Sequence, residues 1–238
     1  MSAVPAVDEA ASATLKPARL RIWDGPTRVM HWLLVILIAV CWWTGVHNQL
    51  QYHLYAGYGI LWIVVLRLYW GFVGSSTARF AHFVRGPRHM LDYARTLHRR
   101  DTDHSYGHNP LGAVSVLVML GVVLAVVGLG LLAVDVDGLY SGPLSVFVSF
   151  KTGRHLAHLH YTWFEYLLAV IALHLAAVAF YYIYKRQNLV FPMISGSRTV
   201  AEPVEEKLRT VPVWRLLLGA AIASAIVWLV IDGVYYFT

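Results

Sequence analysis

The sequence predicts an all-α membrane protein that crosses the bilayer five times, and three observations predict it. Only 13% of the 238 residues are Asp, Glu, Lys or Arg, about half the share of a soluble domain. Hydrophobic residues reach 58% and mean hydropathy is +0.56; with so few charges, a chain this short would have to expose apolar side chains to water. Finally, five stretches, approximately 29–46, 54–74, 111–134, 161–184 and 211–231, are long and apolar enough to cross roughly 30 Å of hydrocarbon as helices.

Taken in order, the first span has no charged residue, the second only Arg67, the third none, the fourth Glu165 and the fifth Arg215. Backbone groups in lipid must hydrogen-bond internally, and these segments lack the alternation of barrel strands, so helices follow. Residues 1–20 are Ala-rich without an apolar core. They read as a disordered N-terminus, not a signal peptide, and the first apolar run has no cleavage site after it. The single cysteine, Cys41, lies inside an apolar run, which excludes an intramolecular disulfide, a thiolate metal cluster and covalent c-type haem.

Lys and Arg number four before the first span (Lys16, Arg19, Arg21, Arg28), six in 75–110 and five in 185–210, against Lys151 and Arg154 on the other face. This asymmetry places the N-terminus and both long basic loops in the cytoplasm and the C-terminus outside, as in a bacterial inner-membrane protein. It also accounts for the net charge of +6 without a nucleic-acid partner. In the first basic loop, Gly86-Pro87 precedes Met90, Ala94 and Leu97 at helical spacing among Arg88, Arg95, Arg99 and Arg100. That pattern fits a short helix lying on the inner membrane surface, and equally a solvated basic loop.

Twelve histidines in so apolar a chain are the main functional clue, because ionisable groups at membrane depth are costly and usually line a site. His82, His89, His98, His104 and His108 fall in the cytoplasmic loop and His47 in an outer turn. His31 starts the first span at the inner level, His53 starts the second at the outer level, and His160 and His174 belong to the fourth. The last two are 14 residues apart, about 40° short of four full turns and about 21 Å along the axis. They share one face at two depths. Two pairs follow, His53 with His160 outside and His31 with His174 inside, and each offers two imidazoles and no carboxylate or thiolate, which suits bis-His ligation of b-type haem.

Other positions repeat the spacing. Arg67 lies 14 residues after His53, at the inner level, where it pairs with a haem propionate or else with a lipid or a carbonyl. Gly45 lies 14 after His31, and Gly57 and Gly71 are 14 apart; each lets a macrocycle approach the backbone, or else packs helices. His155 and His158 are rotated about 100° and 160° from His174, so His160 is the preferred outer ligand and His158 the fallback. The same HxxHxH cluster could instead bind zinc or copper, though no fourth ligand is nearby. Glu165 points about 180° away from His174, toward the fifth helix, a partner subunit or a proton route.

RxWDxPxRxxHW at Arg21 to Trp32, HLYAGY at His53 to Tyr58, RLYWGFVGSSTARFAHFVRGP from Arg67 to Pro87, GHNPLG at Gly107 to Gly112 and the His160/His174 pair occur in that order. Together they resemble the bacterial cytochrome b561 family, related to the cytochrome b subunits of nickel-iron hydrogenases and formate dehydrogenase. The resemblance covers roughly residues 20–195 and implies a four-helix core holding two b haems on His31, His53, His160 and His174. Residues 196–238, a linker and an additional transmembrane helix, exceed that core. In the formate dehydrogenase relative a quinone binds beside an Asn at the start of the third helix, and Asn109 occupies the similar position. His108 beside it is placed to relay the accompanying proton. Asn109-Pro110 is equally a helix N-cap followed by proline.

These readings converge on a di-haem b cytochrome moving electrons between the quinone pool, ubiquinone or menaquinone, and a redox partner outside. The partner is a hydrogenase, a c-type cytochrome or another periplasmic oxidoreductase, and a homodimer acting on quinone directly is compatible. A different class, a metal or proton transporter using membrane histidines, predicts a colourless protein with polar, water-lined helices.

Overall fold

A computed structural model describes residues 18–100, 107–200 and 208–232. Four long helices, α1 (Gly25–Val46), α2 (Leu50–Val73), α5 (Pro110–Leu132) and α6 (Phe150–Ile183), pack as two hairpins, α1 with α2 and α5 with α6, joined through α2 and α5. A fifth, α8 (Val213–Ile231), lies against α2. All five are long and apolar enough to span a membrane. Ile60 and Val64 of α2, Val123 and Val126 of α5 and Leu167 of α6 form one core cluster. A second, of Met30, Ile63, Leu66, Trp70, Ala78 and Ala223, seats α8. Most outward side chains are large and apolar, as a lipid-facing surface requires.

Local chemistry starts each helix. Asp24 caps α1, its Oδ1 accepting from the Thr27 amide at 2.7 Å, with a proline in the first turn. Its Oδ2 accepts from Trp70 Nε1 at 2.9 Å, which binds the start of α1 to the end of α2. Asn109 caps α5 ahead of Pro110 in the same way, and Ser149 caps α6. The Ser149 cap makes α6 begin eleven residues before the expected 161. Its first turns carry Lys151, Arg154 and His155, so hydropathy registers only the later part.

Short elements complete the chain: β1 (Ala18–Arg21), α3 (Phe80–Phe83), α4 (Pro87–Thr96), α7 (Val190–Ser195) and β2 (Ser197–Val200). The expected disordered stretch over 1–20 stops short of Ala18, because β1 pairs antiparallel with β2, Ala18 opposite Val200 and Arg21 opposite Ser197. Residues 1–17 lie outside the described residues, as do 201–207 of the expected linker and His104. The strand pair continues into a clamp. Gly196 O accepts from the Ile22 and Trp23 amides at 2.8 and 3.1 Å, Arg28 Nη1 donates to Ile194 O, and Trp32 Nε1 donates to Met193 O at 3.2 Å. Of the two readings of the basic loop, the helical one holds: α4 forms with Pro87 in its first turn and buries no side chain.

Candidate functional site

His53, in the first turn of α2, and His160, on α6, face each other with ring centroids 5.9 Å apart and planes at 85°. His53 Nδ1 donates to Cys41 O of α1 at 2.9 Å, and His160 Nδ1 donates to Val126 O of α5 at 2.8 Å. A carbonyl only accepts, so both Nδ1 atoms carry the proton and each Nε2 keeps its lone pair. This is the tautomer of a metal-ligating histidine, its other nitrogen held by a carbonyl. The Cys41 thiol bonds back to His53 O at 3.7 Å.

His31 of α1 and His174 of α6 are close enough to interact electrostatically. His31 Nδ1 is buried without a hydrogen-bond partner, and the ring packs edge-on against Trp32 at 5.0 Å. An unsatisfied buried nitrogen costs about 1–3 kcal/mol, so the donor set fits a group that bonds imidazole at this level. Of the two pairs expected from the 14-residue spacing, His53 and His160 face each other ring to ring, and His31 and His174 lie within electrostatic reach. The competitors, His155 and His158, are exposed, and among the described residues no three of His, Cys, Asp or Glu converge as a metal site. The zinc or copper reading of HxxHxH therefore has no geometry behind it. Glu165 is exposed on α6 while the fifth span packs on α2, so Glu165 does not face the fifth helix.

The glycines divide. A Cβ at Gly57 would meet nothing within 4 Å, leaving room for a flat group, whereas at Gly45 it would stand 3.3 Å from His53 Nδ1. Gly45 therefore gives space to an imidazole. Gly71 must be corrected: a Cβ there would lie 2.1 Å from Phe80, because the segment after α2 folds back and seats that ring on the glycine. Arg67 stacks over the same ring at 5.1 Å and Nη1 donates to Ala78 O at 3.3 Å. Spacing arguments missed Gly130, where a Cβ would stand 2.9 Å from His160 Cε1.

At the His31 end, Asn109 is buried with both ends of its amide engaged. Oδ1 accepts from Gly112 N at 2.7 Å, and Nδ2 donates to Tyr181 Oη at 2.7 Å, which also bonds Tyr93 Oη at 2.7 Å. Asn109 thus serves as the helix cap and bonds a tyrosine pair through its amide. His108 sits between Trp23 and Phe83, with centroids at 4.6 and 4.5 Å. Burial, reinforced by the nearby Arg67 cation, pushes its pKa down to about 3. Its Nδ1 is buried without a hydrogen-bond partner.

Two membrane helical hairpins that present imidazoles to one another at two levels define the class of membrane b-type cytochromes, electron carriers built on haem b. The chain belongs to a family within that class: residues 22–196 match prokaryotic cytochrome b561. It is also similar to a probable Ni/Fe-hydrogenase B-type cytochrome subunit of Azotobacter chroococcum mcd 1, at 26% identity over 220 residues, covering 77% of this chain and 90% of the relative. No solved structure matches the chain. The protein is a multi-pass membrane b-type cytochrome of electron transfer.

Proposed function

We propose that the chain carries two b haems, one on His53 and His160 and one on His31 and His174, and conducts electrons across the membrane between the quinone pool and a redox partner outside. The observation that carries this reading is the facing of His53 and His160 with both Nδ1 atoms bound to carbonyls and both Nε2 atoms left to ligate. Haem b, when bound, supplies one-electron iron chemistry to such a frame. The residues do the rest. The two carbonyls hold the imidazoles in one tautomer and orientation, and Ile60, Val64, Val123 and Leu167 form a buried apolar layer. Leu167 is seven residues from both His160 and His174, so that layer keeps water from between the levels.

The basic-residue asymmetry supports a cytoplasmic N-terminus, with the His31 level inside and the His53 level outside. The name of the relative, a Ni/Fe-hydrogenase B-type cytochrome subunit, supports a hydrogenase as one partner; a c-type cytochrome or another periplasmic oxidoreductase is the alternative, and ubiquinone or menaquinone the proposed exchange partner on the other side.

A pyridine haemochrome assay on purified protein is expected to give a haem-to-chain ratio near two. Replacing His53 or His160 by Ala removes one spectral component, and replacing His31 or His174 removes the other. A ratio near zero overturns the reading, and loss of the same component from His31→Ala and His53→Ala overturns the pairing.

A further inference from the structure

One arrangement appears on both hairpins. The carbonyl that receives His53 Nδ1 belongs to Cys41 and the one that receives His160 Nδ1 to Val126. Gly45 follows Cys41, and Gly130 follows Val126, by four residues. In an α-helix the carbonyl of residue i accepts the amide of residue i+4, and the side chain of that residue tilts back over the preceding turn. A glycine at i+4 removes the side chain that would cover this carbonyl, so a donor from another helix can reach it; at Cys41 O the Thr44 hydroxyl also donates, at 3.2 Å. The clearances agree: a Cβ at Gly130 would stand 2.9 Å from His160 Cε1 and 3.0 Å from Nδ1, and one at Gly45 3.3 Å from His53 Nδ1 and 3.5 Å from Cε1.

We propose that Gly45 and Gly130 are positioning residues for His53 and His160, each opening a helix carbonyl so that the imidazole docks on it through Nδ1–H and presents Nε2 to the shared centre. Neither glycine takes a positive φ, so backbone conformation does not require them. The device also separates the two levels. His31 Nδ1 has no such carbonyl. The Nδ1–H bond raises ligand basicity, which favours the more positive, oxidised iron, so the two levels differ in potential through this feature.

The inference rests on the haem reading above, and the experiment separates the two. Wild type, Gly130→Ala, Gly45→Ala and the control Gly121→Ala, an exposed α5 position where a Cβ meets nothing within 4 Å, are purified from membranes. Haem content, low-spin EPR g-values and redox titrations are recorded. Gly130→Ala is expected to lose, or to shift in g-value and upward in midpoint potential, the component that depends on His160, leaving the other unchanged. Gly45→Ala shifts the same component by less, its neighbour being 3.3 rather than 2.9 Å away, and Gly121→Ala moves neither. If Gly130→Ala does not accumulate, Gly45→Ala decides. Two haems with unmoved g-values and potentials in the glycine variants, or a shift in the His31-dependent component, overturn the role of the glycines. Absence of haem from wild type overturns the reading beneath it.

Discussion

His108 departs furthest from the ordinary behaviour of its type. An imidazole usually titrates near pH 6.5, but here burial and then the Arg67 cation push the value down to about 3. Between those two values the unfolded chain binds a proton that the folded chain does not, so stability rises with pH. The contribution of His108 is complete above about pH 6.5 and is lost progressively as the pH falls toward 3. The melting temperature of wild type is therefore expected to drop between about pH 7.5 and about pH 5, and that of His108→Phe to drop less. Equal drops would mean that His108 takes up its proton at the same pH in the folded and the unfolded chain. Asn109 shows the same economy of polar groups, its one amide closing a helix cap and a tyrosine pair.

Among the elements, the clamp of β1, α7 and β2 holds the start of α1 in place. Its tightest point is Gly196, with φ of +82° and Ile22 and Trp23 bonded to its carbonyl. An alanine there meets a left-handed backbone cost of roughly 1–2 kcal/mol, and its Cβ would stand 3.0 Å from Trp23 O. Gly138, with φ of +70° and nothing within 4 Å, is the internal control. Thermal unfolding of both alanine variants is expected to show Gly196→Ala as the less stable. Equal stabilities would show that the clamp adds nothing at this point.

Orientation is decided by the whole molecule. Val136, in the connection between α5 and α6, and Leu91, on α4, are 63% and 60% exposed at the two ends of the bundle, while Cys41 is buried. The charge distribution predicts that a membrane-impermeant thiol reagent labels Val136→Cys in intact cells and Leu91→Cys only after permeabilisation. The reverse pattern would turn the bundle over and place the His53 level inside. At this scale the architecture is two hairpins packed on an apolar cluster that includes Leu167.

Two one-dimensional signals carried the sequence reading. Hydropathy located five spans because lipid requires each helix to be apolar along its own length. The 14-residue spacing of His160 and His174 located two levels because helical rotation is a local property. With charge asymmetry to orient the spans, those signals predict which histidines pair. They did not determine what lies beside each residue. Phe80 on Gly71, Tyr181 on Asn109 and Gly130 beneath His160 depend on how separate helices and loops meet. The β1–β2 pair joins four-residue strands far apart in the chain, too short for periodicity to mark. Helix α6 extends past its hydrophobic stretch because a serine cap, not lipid, sets its start. Spans and levels follow from each segment meeting its solvent alone, whereas caps, clamps and carbonyl docks need a partner that only the folded chain brings.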